Sequence, residues 1–155
     1  MRYLAKPETT SRTERYPKTI NDWFVMLRDT CFLIVDDQAL LAMDLAEIIE
    51  SQNGTVIGPA TTLSDAFRLV DAQDVHAALL DIEIGPERVW PLARQLSGRQ
   101  TPFAFISGQC TAEELPKEFM GVVCLEKPPE RAKVLETALA LKQACQAGAG
   151  GQVSA

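Results

Sequence analysis

The stretch Cys31-Phe32-Leu33-Ile34-Val35-Asp36-Asp37 decides the fold. An unbroken apolar run ends at two adjacent carboxylates. Such a run, bounded by polar residues, reads as a strand buried on both faces. A second run, Ala77-Ala78-Leu79-Leu80, ends at Asp81 in the same way. Acids thus fall where buried strands stop. In an open parallel sheet the carboxyl ends of the strands border the ligand crevice. Carboxylates gathered there repel one another by roughly 4 kcal/mol per pair at about 4 Å and an effective dielectric near 20. A hard cation relieves that repulsion, and oxygen ligands alone favour one such as Mg²⁺. A site of this kind suits phosphate.

Working outward, strands and helices alternate. Strands are predicted over 31–36, 55–57, 76–81, 103–106 and 122–125. Helices are predicted over 38–51, from the cap candidates Thr62 and Ser64 through Val70, over about 87–97 with Pro91 in the first turn, and over about 130–146. Residues 111–119 make a poor helix because Pro116 interrupts it. Five strands alternating with helices imply an α/β domain with a parallel sheet covered on both faces. The flavodoxin-like (βα)5 doubly wound order 2-1-3-4-5 would set the first and third strands side by side, and with them Asp36, Asp37 and Asp81. Ser107 follows the fourth strand and Lys127 the fifth, so both belong to the same edge.

Composition bounds the rest. The 155 residues suit one domain, and 46% apolar content excludes global disorder. The net charge of −6 argues against a nucleic-acid-binding surface. Residues 1–30 carry six Lys/Arg and four Asp/Glu, whereas the remainder carries nine and seventeen, which separates a basic extension from an acidic body. Residues 1–29 read as that extension, with an amphipathic helix over about 19–29 built on Ile20, Trp23, Phe24 and Leu27. Residues 30–146 form the body, and 147–155 a flexible Gly/Ala-rich tail. No run approaches the length of a membrane span and no signal peptide is evident, so a cytoplasmic protein without membrane association is expected. Cys31, Cys110, Cys124 and Cys145 show no paired spacing and are expected to be free thiols, with Cys31 and Cys124 as small core residues. The single histidine, His76, excludes a Ser-His-Asp triad as the first reading and is expected to cap or flank the third strand.

Over about residues 31–145 the chain resembles the response-regulator receiver domains of two-component signalling. Paired acids after strand one, a lone Asp after strand three, a Ser/Thr after strand four and Lys-Pro after strand five match in order and approximate spacing. The resemblance implies that Asp81 is the phosphoacceptor. It implies that Asp36, Asp37, Asp81 and the backbone carbonyl of Glu83 hold Mg²⁺ or Mn²⁺, and that Ser107 and Lys127 meet the phosphoryl group. Two features depart from the pattern. Cys124 stands where receivers usually place the aromatic residue of the switch, and Lys127-Pro128 is followed by Pro129-Glu130. The segment 102–108 also resembles an alphaproteobacterial subgroup with a Phe-Ala-Thr-Gly-like sequence there.

The implied function is that of a stand-alone, single-domain response regulator: a phosphoprotein that relays or stores an aspartyl-phosphate, not a turnover enzyme. Its implied partners are a sensor histidine kinase or a histidine phosphotransfer protein, and a downstream protein target. The N-terminal helix could serve a homodimer or a partner groove. The alternative is a receiver-like interaction module that works independently of phosphorylation, motivated by Cys124. A phosphohydrolase with an Asp nucleophile is the third reading, but it would want Asp-x-Asp where the chain has Asp36-Asp37-Gln38.

Overall fold

The structure, a computed structural model, describes residues 19, 26–111, 113 and 115–148. The sheet strands are β1 (Cys31–Val35), β2 (Thr55–Ala60), β3 (Ala77–Asp81), β6 (Phe103–Ser107) and β7 (Cys124–Glu126). All pair in parallel, in the order β2-β1-β3-β6-β7. The helices are α1 (Ala39–Glu50), α2 (Leu63–Ala72), α3 (Trp90–Gly98) and α4 (Arg131–Gln146). This is the flavodoxin-like fold expected, with four α-helices among the described residues.

Successive residues of the central strands feed opposite cores, as the two-residue period of a strand requires. Leu33, Val35, Ala78, Leu80, Phe103 and Phe105 pack with α2 and α3. Phe32, Ile34, Ala77, Leu79, Ala104 and Ile106 pack with α1 and α4. Because both faces are buried, every residue of β3 and β6 is apolar until the carboxyl end, where Asp81 and Ser107 stand.

Local chemistry ends the helices where the sequence marks it. The Thr62 hydroxyl accepts the Asp65 N–H at 3.1 Å and caps α2, the role for which Ser64 was the other candidate. Gly54 follows α1 so closely that a Cβ there would lie 2.6 Å from Ile49 Cγ2. Pro91 lies in the first turn of α3, where its missing N–H leaves no helical bond unmade.

Four elements depart from expectation. Residues 87–88 do not open a helix. They form β5 (Glu87–Arg88), which pairs antiparallel with β4 (Glu83–Ile84) around Gly85-Pro86. Gly85 has φ +59°, as the first central residue of a tight hairpin turn requires. The poor helix of 111–119 is reduced to a 3₁₀ turn, Lys117–Phe119, after Pro116. The last strand begins at Cys124 and not at 122, because the Val122 N–H is drawn into that turn by Phe119 O. Finally, Cys110 and Cys124 are not free thiols: they are joined in a disulfide, while Cys31 and Cys145 are free. Cys124 is half-buried beside the chain that returns from Ser107, and its Cα lies 5.7 Å from that of Cys110, within disulfide reach.

Residues 26–29 form a turn, with Met26 and Leu27 packed into the α1/α4 core. Ile20, Trp23, Phe24 and most of the tail expected over 147–155 lie outside the described residues. No helix of the described residues is long and apolar enough to cross a membrane.

Candidate phosphoryl-transfer site

The adjacency of β1 and β3 assembles the acids. Val35 pairs with Leu80, so the residues that follow, Asp36 and Asp81, leave the sheet side by side. Asp37, Asp36 and Asp81 each offer a carboxylate oxygen within 4.8 Å of the others. Asp36 and Asp81 are buried and Asp37 is exposed.

Each acid is oriented by a backbone N–H. Gln38 N–H donates to Asp36 Oδ1 at 2.8 Å, and Glu83 N–H to Asp81 Oδ1 at 3.3 Å. Gly85 N–H donates to Asp37 Oδ2 at 2.9 Å, which ties the β4–β5 hairpin to the acids. The Glu83 side chain turns to Arg88 at 3.3 Å, so only its main chain borders the cluster.

Lys127 is the counter-charge. Its Nζ lies 2.8 Å from Asp81 Oδ2 and 3.2 Å from Asp36 Oδ2. The second contact is an ion pair without hydrogen-bond alignment, so Asp36 Oδ2 is buried with no hydrogen bond. Burial raises the Asp81 carboxyl from its ordinary 3.8 to about 6, helped by the charge of Asp36 and opposed by Lys127. Burial alone would lower the Lys127 ammonium, but its bond to Asp81 and the charges of Asp81 and Asp36 outweigh that and raise it.

Lys127 is positioned through β7: its N–H donates to Ser107 O at 2.8 Å. Ser107 lies one residue beyond Ile106, the ladder partner of Asp81. Its buried hydroxyl accepts the Gln109 N–H at 3.2 Å. The five sequence-predicted side chains therefore share one edge, with Ser107 turned into its own loop. Cys124 pairs with Phe105 in the ladder. His76 lies at the opposite end of β1, where its Nδ1 accepts the Cys31 N–H at 2.9 Å, the flanking role expected.

The donor set fits a hard divalent cation. Three carboxylates against one ammonium leave an excess of two negative charges, and one buried oxygen has lone pairs unused. Sequence reasoning missed the hairpin that holds Asp37; the Gly85-Pro86 dipeptide was its signal.

No protein-family model matches the chain, and comparison with curated protein sequences found no match. Solved structures do match. A response regulator receiver domain protein (CheY-like) from Methanospirillum hungatei JF-1 has a TM-score of 0.67 at 17% identity, over 77% of this chain and 98% of that one. A response regulator from Burkholderia pseudomallei, solved with a phosphorylated aspartic acid, calcium ion and citrate, has a TM-score of 0.63 at 21% identity, over 78% of this chain and 72% of that one. The chain has the fold of the response regulator receiver domains. Its similarity to SdrG from Sphingomonas melonis Fr1 reaches 32% identity and a TM-score of 0.60, over 71% of this chain and 95% of that one.

Proposed function

We propose that the chain receives a phosphoryl group on Asp81 in Mg²⁺-dependent two-component phosphotransfer and acts through protein–protein binding or phosphorelay. The observation that carries this reading is the approach of Asp36, Asp37 and Asp81 within 4.8 Å of one another, with Lys127 Nζ 2.8 Å from Asp81 Oδ2.

Asp36, Asp37, Asp81 and the Glu83 backbone carbonyl would hold Mg²⁺ or Mn²⁺, which supplies charge neutralisation and alignment of the transferring group. Asp81 is the nucleophile: a carboxylate oxygen forms the new P–O bond while the donor's bond to phosphorus breaks and its leaving group departs. Above about pH 6 that carboxylate is ionised, as a nucleophile must be. Asp81 Oδ1 is steadied by the Glu83 N–H, and Oδ2 by Lys127. Lys127 is placed to follow the added dianion. The Ser107 hydroxyl, which accepts the Gln109 N–H, keeps its own O–H to donate and would turn towards the added group.

The reading makes the protein a cytoplasmic phosphoprotein with no turnover of an external substrate. Its donor is a histidine kinase or a histidine phosphotransfer protein. Leu40 and Met43 on α1 and Met120 on the β6–β7 crossover are exposed apolar side chains available to a protein partner. The test is intact mass after incubation with Mg²⁺ and a small-molecule phosphodonor such as phosphoramidate. A single phosphoryl addition that needs the cation and is lost in Asp81→Asn is expected. No addition to a folded protein would overturn the reading.

Cys124 favours a second reading, a receiver-like interaction module that works independently of phosphorylation. An aromatic switch residue is replaced there by a sulfur bonded to Cys110. Partner affinity unchanged in Asp81→Asn, with or without phosphodonor, is the outcome that would establish it.

A further inference from the structure

The loop that leaves Ser107 carries a sulfur pair that the phosphoryl chemistry does not use. Cys110 lies three residues after Ser107, and Cys124 three residues before Lys127. Their bond therefore fastens the chain leaving the switch hydroxyl onto the strand that delivers the site's ammonium. Residues 107–110 are held at both ends: Ser107 O accepts the Lys127 N–H at 2.8 Å, and Cys110 is bonded to Cys124. Between those anchors the Ser107 hydroxyl is engaged by the Gln109 N–H at 3.2 Å.

The pair is also open to chemistry. Both cysteines are half-buried and line a cleft shared with Glu126, Lys127, Pro129 and Lys133. A small thiol or disulfide can approach a sulfur there; Lys127 and Lys133 in the same cleft favour the thiolate that exchange requires, and Glu126 and Glu130 oppose it.

We propose that Cys110 and Cys124 form a reversible thiol–disulfide site: oxidised, it holds the Ser107 hydroxyl in its bond to Gln109; reduced, it frees that loop to turn towards Asp81. The purpose of that turn rests on the phosphoacceptor reading; the thiol chemistry does not. The oxidant class is a low-molecular-weight disulfide such as oxidised glutathione. A thiolate of one cysteine attacks it, forming a mixed disulfide and releasing one thiol. The second cysteine's thiolate then displaces the other. Over the two steps the protein's thiols lose two electrons and two protons, and the small disulfide becomes two thiols. Excess reduced glutathione reverses the sequence.

The test uses the full chain in glutathione buffers of graded ratio. Free thiols are trapped by alkylation and counted by mass, and amide hydrogen exchange is read over the peptide that spans Ser107–Cys110. The expected result is a reversible transition between two and four free thiols. Exchange in that peptide should be about tenfold or more faster in the reduced form. Cys110→Ser should give the fast exchange in every buffer, and a Cys31→Ser/Cys145→Ser double variant should keep the transition. A pair that stays in one state at every ratio, or exchange that differs by less than about twofold between the two states, would overturn the proposal. Phosphoryl addition to Asp81 is measured separately in both states: its absence from both, with the thiol transition intact, would overturn the phosphoacceptor reading and not this one.

Discussion

Asp81 is caught between burial, which favours its neutral form, and Lys127, which favours its charge. Because the folded state raises this carboxyl from 3.8 to about 6, its contribution to stability is complete below pH 3.8 and is lost as the pH rises through 6. Asp81→Asn escapes that loss. In cation-free buffer the stability of Asp81→Asn relative to wild type should therefore rise between pH 4 and pH 7, by at most about 3 kcal/mol and by less where water reaches the pocket mouth. Urea unfolding at the two pH values checks this. Lys127→Met strands two adjacent carboxylates and should cost about 3 kcal/mol without a divalent cation. Added Mg²⁺ should recover a substantial part of that loss in the same assay. The residue types and their order were legible because each stands at the end of an apolar run, where a buried strand has no other reason to place an acid, a hydroxyl or a lysine. Which N–H would hold each oxygen was not legible, since Gly85 meets Asp37 only through a hairpin too short to leave a period.

At the scale of elements, the β6–β7 crossover differs from the other three. Its only helical structure among the described residues is a 3₁₀ turn, and Phe119 on that turn fills the place of a helix face. The ring packs 5.7 Å from Phe105 and 5.9 Å from both Phe103 and Trp90, centroid to centroid. Phe119→Ala should destabilise by about 3–5 kcal/mol, because a turn anchored by one ring cannot collapse to fill the void. Thermal or chemical denaturation gives the number. The disulfide closes this crossover into a ring, so reduction should lower stability by about 2–3 kcal/mol, measurable by the same method with and without reductant. The four helices and the five strands of the parallel sheet were readable from apolar runs, helical periods and the Thr62 cap, whereas the β4–β5 hairpin was not. Neither was the Cys110–Cys124 bond: its partners are 14 residues apart with no spacing motif, and the expectation of a cytoplasmic chain pointed to thiols. Val122 misled for a related reason, since burial makes it look like strand while its N–H serves a turn.

At the scale of the molecule, strand order converts three separate sequence positions into one pocket, while chain length and charge pattern only separate a body from an extension. The boundary of that extension is set by packing. Leu27 is fully buried, its N–H donates to Gln52 O at 3.0 Å, and Lys142 Nζ donates to Met26 O at 3.1 Å. Deleting residues 1–18 should leave phosphoryl addition to Asp81 unchanged. Deleting 1–29 should lower stability by about 2–4 kcal/mol through loss of the Leu27 side chain from the core. Mass after incubation with a phosphodonor, together with melting of the two truncations, separates these effects. The bond from Gly85 N–H to Asp37 Oδ2 also has a use at this scale. A ligand that claims that oxygen competes with the hairpin for it, so binding at Asp37 should be felt by an exposed ribbon at Glu87–Arg88. A fluorophore on that ribbon turns the protein into a gauge of its own occupancy, legible from outside without touching a single residue of the pocket.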